Sequence, residues 1–253
     1  MGSGANGMDG TRVLITGASS GVGLAAARRF AGEGAAVALL ARNAGRLDAL
    51  AEELGVHAHA FAVDVADPAA VHSAVSAADE RLGGLDVVVN AAGMVVPAGL
   101  ADLDAECWRQ VLDVNLSGTF YVCREAALLM RAQGSGSIVN VGSDLASKGM
   151  KDFVHYCAAK AGVVGLTKGL AAELAPTVRV NVVCPGPIDT PMMEGELALT
   201  DDPVAARAAA IESVALKRFL EPDEVVDAIR FLAVEATFAT GSVLALDAGA
   251  TAF

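Results

Sequence analysis

The sequence predicts an α/β fold, a doubly wound parallel sheet of seven strands with helices on both faces. Two observations lead there. Short runs rich in β-branched residues alternate with longer helical patterns along the whole chain. Several of those runs are continuously apolar, as strands covered on both faces must be. No linker, charge block or repeat of 20–50 residues interrupts the alternation. At 253 residues the chain suits one large domain.

The predicted strands are Arg12–Thr16, Ala36–Ala41, His57–Val63, Asp86–Asn90, Ser137–Val141, Arg179–Cys184 and Val243–Asp247. Val22, Ala26 and Phe30 mark the first helix by their four-residue spacing, and Leu47, Leu50, Ala51 and Leu54 mark the second. Met1–Gly10 is small and polar with no apolar core, so it is neither a secretion signal nor part of the fold. It reads as a flexible extension or tag remnant, leaving residues 11–253 as the single domain.

Composition narrows the function. Hydrophobic residues make up 54% and charged ones 19%, which excludes a disordered chain. A net charge of −12 repels phosphate backbones and anionic lipid, and 4% aromatics leave little for base stacking. Nucleic acid and membrane are therefore not expected partners; the expected partner is a small molecule. No run of about 18 uncharged apolar residues offers a spanning helix. Cys107, Cys123, Cys157 and Cys184 have no CxxC or ligand spacing, so four buried reduced thiols, a cytoplasmic setting and no metal are expected.

Ligands of such folds bind beyond the carboxyl ends of the strands. After the first strand comes Thr16-Gly17-Ala18-Ser19-Ser20-Gly21-Val22-Gly23, opening a helix. Glycines at this spacing allow a tight turn and close approach of a pyrophosphate, and the helix N-terminus supplies N–H groups. After the second strand, Ala41 stands where an NAD site would carry a carboxylate, and Arg42 follows. No carboxylate lies between Leu39 and Leu47, so Arg42 is expected to meet a 2′-phosphate. Ser19 could add a hydroxyl. Asp64 and Val65 could meet the adenine, although Asp64 could equally cap the next helix. Asn90, Ala91 and Gly93 supply small residues where a cofactor must lie against backbone.

Tyr156 and Lys160 are four residues apart in a helical pattern, so they share a face. A cation beside a phenol lowers its pKa, making Tyr156 an acid/base near neutrality. Ser143, just after the fifth strand, could donate to the same substrate oxygen. A YxxxK pair alone is a common accident; Ser143 and the glycine turn in the same chain give it meaning.

These pieces resemble the classical short-chain dehydrogenase/reductase family: Thr16–Gly23, Asn90–Gly93, Asn115, Ser143, Tyr156 with Lys160, Pro185-Gly186 with Thr190, and the terminal Gly241–Asp247 strand. The resemblance implies a Rossmann fold and a catalytic tetrad of Asn115, Ser143, Tyr156 and Lys160. It implies that Tyr156 passes the proton, Lys160 binds the nicotinamide ribose and Asn115 holds a water. Pro185, Gly186, the Ile188 backbone and the Thr190 hydroxyl would line the nicotinamide. It also implies a homotetramer built on Glu106–Met130 and Val154–Leu174. One departure is Ala248, where the family usually has Gly.

Substrate contacts would come from loops. Val95, Asp144, Leu145, Pro187, Met192 and Met193 are the candidates, and residues 191–213 could form a lid. The charges between Ser143 and Tyr156 otherwise read as surface solvation. The expected activity is hydride transfer between NADP(H), with NAD(H) as the alternative, and a ketone or secondary alcohol. The alternatives are a 3-oxoacyl-carrier-protein reductase, for which the scattered cations Arg131 and Arg179 give a poor landing patch, and an NAD-dependent dehydrogenase of a sugar, steroid or cyclic alcohol. A non-catalytic nucleotide sensor fits least, since Tyr156 and Lys160 are both present.

Overall fold

The computed structural model describes residues 7–252. Seven parallel strands form one sheet in the order β3-β2-β1-β4-β5-β6-β7. They are β1 Arg12–Thr16, β2 Ala36–Ala41, β3 Ala58–Ala62, β4 Val87–Asn90, β5 Gly136–Val141, β6 Val178–Pro185 and β7 Val243–Leu246. The helices are α1 Gly21–Gly32, α2 Ala44–Leu54, α3 Pro68–Leu82, α4 Ala105–Leu112, α5 Gly118–Gln133, α6 Val154–Leu174, α7 Pro191–Leu197, α8 Pro203–Glu212 and α9 Pro222–Arg230.

The apolar runs have the double burial that their composition requires. In β1, Val13 and Ile15 join a core beneath α1 and α9, while Leu14 joins the opposite core beneath α3 and α5. In β2, Val37 and Leu39 face the first core, and Ala38 and Leu40 the second. Alternate residues serve opposite layers, so a polar side chain has no solvent-facing place on these strands. The strand order reverses at β1, which pairs with both β2 and β4. The crevice at that switch point is where a doubly wound sheet accepts its ligand.

Several local readings need correction. The first ten residues do not all lie outside the fold: Met8 is fully buried in the α1 core, and its carbonyl accepts from Thr11 N. Residues 1–6 lie outside the described residues. Asp67, not Asp64, caps α3, accepting from the amides of Ala69 and Ala70; the exposed Asp64 accepts from Ala66 N. The expected helix across Glu106–Met130 is two helices joined by a π-helical turn, Asp113–Ser117. All four cysteines are free, but Cys107 and Cys157 are only partly buried. No helix among the described residues is long and apolar enough to cross a membrane.

Candidate active site

The end of β1 is tied to the end of β4 by one hydroxyl. Thr16 Oγ1 accepts from Ala91 N at 3.1 Å and from Ala92 N at 3.0 Å. Gly17 then turns with φ +69°, where a Cβ would lie 2.8 Å from the Ala91 carbonyl oxygen. A Cβ on Gly23 would lie 2.3 Å from the Gly17 carbonyl oxygen, so α1 packs directly on the turn. Ser20 is the N-cap residue of α1 without a side-chain hydrogen bond to it, and the first turn holds no acidic residue. Those N–H groups and the positive end of the helix dipole favour an anion.

A cleft opens beyond this turn. It is lined at one end by Gly17, Ser20, Gly21 and Val22, and at the other by Ser143, Tyr156 and Lys160. Ala91 and Gly93 form part of its wall, and Pro185, Gly186, Ile188, Thr190, Pro191 and Met192 another part. A dinucleotide fits these residues: the glycines leave the floor free of side chains, and the uncapped helix end suits a pyrophosphate.

The π-helical turn carries Asn115 inward. Its amide donates to the carbonyls of Met94 at 2.8 Å and Val111 at 2.9 Å. A Cβ built on Gly93 would stand 2.9 Å from Asn115 Oδ1 and 3.8 Å from Lys160 Nζ, so both groups converge on that one small residue. Lys160 Nζ donates to the Val141 carbonyl at 2.9 Å and lies 5.6 Å from the Tyr156 ring centroid. Burial holds the Lys160 ammonium down, to about 8.

Tyr156 departs from the expectation. Burial pushes its phenol above the ordinary value, the charges of Glu196 and Asp144 add to the rise, and the Ser143 hydroxyl opposes it. Lys160 does not offset this rise: its ammonium gives its hydrogen bond to the Val141 carbonyl and not to the phenol. Ser143 Oγ donates to Asp144 Oδ1 at 3.0 Å and accepts from Leu145 N at 3.1 Å.

The polar groups between Ser143 and Tyr156 are not all surface charges. Asp144 is buried and ion-paired with Lys148 at 2.7 Å. His155 is fully buried, with Nε2 2.8 Å from the Val96 carbonyl oxygen, fastening α6 to the loop after β4. Of the substrate candidates, Met192 lines the cleft. Leu145 is buried behind Ser143, while Val95, Pro187 and Met193 are half-buried. Thr190 caps α7, accepting from Met193 N at 3.4 Å.

At the other end, Ser19 lines a hollow with Arg28 and Arg46. Arg28 is paired with Glu53 at 2.8 Å. Arg42 and Arg46 are exposed at the end of β2 and the start of α2. Sequence reasoning missed Arg46, although it follows Arg42 by only four residues. Val65 is buried against Gly118, and the Asn90 amide donates to Asn140 Oδ1 at 2.9 Å inside the sheet, away from the cleft.

Residues 17–251 match the family model described as "Enoyl-(Acyl carrier protein) reductase". The chain belongs to the short-chain dehydrogenase/reductase family. Its similarity to other short-chain dehydrogenases is spread over nearly the whole length. It is 40% identical to a D-threitol dehydrogenase of Mycolicibacterium smegmatis, over 96% of this chain and 94% of that one. It is 39% identical to a 3-oxoacyl-[acyl-carrier-protein] reductase of Thermotoga maritima, over 96% of this chain and 98% of that one. A solved structure titled as a short-chain alcohol dehydrogenase, from Sinorhizobium meliloti, superposes with a TM-score of 0.91 at 33% identity, covering 98% of this chain and 99% of its own. This short-chain dehydrogenase/reductase is therefore an oxidoreductase acting between CH–OH and C=O.

Proposed function

We propose that the protein interconverts ketones and secondary alcohols with NADP(H) in preference to NAD(H), using Asn115, Ser143, Tyr156 and Lys160. The observation that carries this reading is one cleft holding the uncapped α1 N-terminus at one end and Ser143, Tyr156 and Lys160 at the other.

When bound, the nicotinamide supplies hydride to the carbonyl carbon or takes it from the carbinol. In reduction the carbonyl oxygen becomes an alkoxide-like oxygen and needs a proton. Tyr156 holds that proton firmly in the free protein, so it is the donor, and Ser143 turns its hydroxyl from Asp144 to the same oxygen. Lys160, mostly protonated at neutral pH, would hold the ribose hydroxyls of a bound cofactor and stabilise the phenolate that Tyr156 becomes. Asn115 fixes the loop after β4 through Met94 and keeps a polar path beside Lys160. Arg42, joined by Arg46 and Ser19, receives the 2′-phosphate. Asp64 is exposed at the adenine end, with Val65 beside it.

The acyl-carrier alternative loses support from Arg179. Its guanidinium is spent on the carbonyls of Leu232, Ala233, Ala236 and Ala239, so it does not contribute to a landing patch. A homotetramer remains part of the proposal, with the exposed Trp108, Phe120 and Leu128 of α4 and α5 as contact residues. α6 offers less for such a contact, because Val163 and Leu174 are buried in the protomer's own core.

The direct test is to follow reduced-cofactor absorbance with a panel of ketones, using NADPH and NADH in parallel. Oxidation that depends on both ketone and protein is expected. Absence of turnover in either direction with every ketone and alcohol tried would overturn the reading.

A further inference from the structure

Glu196 has no role in the chemistry above. It lies on α7, the short helix that begins at Thr190 and carries Pro191 and Met192 along the cleft. Met193, Glu196 and Leu197 are half-buried, while Glu194 and Gly195 are exposed. The carboxylate therefore belongs to the inward side of the helix. It makes no hydrogen bond or ion pair among the described residues, although nearby carboxylates do: Asp144 holds Lys148, and Asp189 holds Arg207 at 2.6 Å. Burial alone shifts Glu196, pushing its carboxyl up to about 7, with no cation or N–H to offset it. Its charge reaches the Tyr156 phenol and raises it.

A partly desolvated carboxylate with no protein donor is costly unless something supplies one. Glu196 follows Met192, which lines the cleft, by one helical turn on α7, so the two share a face and a ligand at the substrate end of the cleft can supply the donor. We propose that Glu196 is a specificity-determining residue that accepts a hydrogen bond from a second hydroxyl of the substrate, beyond the reacting carbinol. The substrate class is then a diol or polyol, or the matching hydroxyketone. The same charge repels a substrate whose far end is anionic. This deepens the reading of the preceding subsection and rests on it.

The test uses three four-carbon substrates that share a reacting carbinol: butan-2-ol, butane-2,3-diol and 3-hydroxybutanoate. Each is assayed for kcat/KM with NADP at pH 8.5, where Glu196 is ionised, in the unmodified holoenzyme and in Glu196→Ala and Glu196→Gln. A hydrogen bond to a charged group corresponds to about ten- to hundredfold in affinity. The unmodified enzyme is expected to favour the diol over butan-2-ol by about tenfold or more, and Glu196→Ala to erase that preference. Glu196→Gln is expected to raise the 3-hydroxybutanoate to butan-2-ol ratio by about tenfold. A merely structural role would lower all three substrates alike and leave both ratios unchanged within twofold, which overturns the inference. Turnover of none of the three by an unmodified enzyme that does turn over other ketones or alcohols overturns this inference alone, whereas turnover of no ketone or alcohol overturns the parent reading with it.

Discussion

Lys160 stands 5.6 Å from the centre of the Tyr156 ring but gives its hydrogen bond to the Val141 carbonyl rather than to the phenol. In the free protein the phenol thus keeps its proton, while the amine, brought down to about 8, is still mostly protonated at neutral pH. A folded-state pKa raised above the unfolded one means that the phenol contributes stability below about pH 10, lost as pH rises through the folded value. Tyr121 and Tyr156 are the two tyrosines of the chain. A phenolate difference titration of the cofactor-free protein against Tyr156→Phe should place Tyr156 above 10. A midpoint below 10 would show that Lys160 controls the phenol without help from cofactor.

Gly23 is fixed by the Gly17 carbonyl oxygen, 2.3 Å from where a Cβ would go. The obstacle is backbone, so Gly23→Ala must displace the turn or the helix. Overpacking of this kind costs about 1–3 kcal/mol. Urea unfolding should show a loss of that size, and cofactor affinity should fall with it, because the phosphate-binding turn moves. Unchanged affinity would mean that the turn tolerates the shift.

Ala248 has φ +53°, in the left-handed region, and its carbonyl accepts from the amides of Ala215 and Leu216. A side chain there costs roughly 1–2 kcal/mol, which glycine avoids while keeping both backbone bonds. Ala248→Gly should therefore stabilise the protein by about 1 kcal/mol after the entropy of glycine is counted. A destabilised variant by urea unfolding would contradict this.

How much was legible depended on what each signal encodes. Continuous apolar strands such as Val87–Val89 announce burial on both faces, and the glycine turn announces itself by spacing, so sheet and cleft could be read directly. Lys160 and Tyr156 could be placed on one face of α6. The direction in which Tyr156 shifts could not, because it depends on burial and on Glu196 and Asp144, which reach the phenol through tertiary structure. His155 looked like a surface residue among charges, and only packing against the Val96 loop reveals it as buried. Met8 was hidden by its small polar neighbours. Glu196 carried one usable signal, its position one turn after Met193 in a segment already suspected of facing substrate.

Cofactor choice turns on Ala41 and Arg42. Ala41 ends β2 nearly buried, and Arg42 is exposed beside it, four residues before the exposed Arg46 of α2. A charge-assisted contact to a 2′-phosphate contributes about 1.5–3 kcal/mol, or about ten- to hundredfold. NADP should be preferred over NAD by about that factor. Arg42→Ala should raise the KM for NADP and leave NAD nearly unaffected, and Ala41→Asp should reverse the preference. Equal or tighter binding of NAD by the unmodified protein would make Arg42 an ordinary solvated charge.

The central claim is that Tyr156 carries the proton to the substrate oxygen in a nicotinamide-dependent reaction. The measurement that tests it most directly is the single-turnover rate of ketone reduction by Tyr156→Phe, with NADPH affinity measured alongside by fluorescence. Phenylalanine keeps the ring and removes only the hydroxyl. Loss of a general acid predicts a rate lower by about a hundredfold or more, with NADPH affinity nearly unchanged. A rate close to that of the unmodified enzyme, at unchanged affinity, would contradict the account.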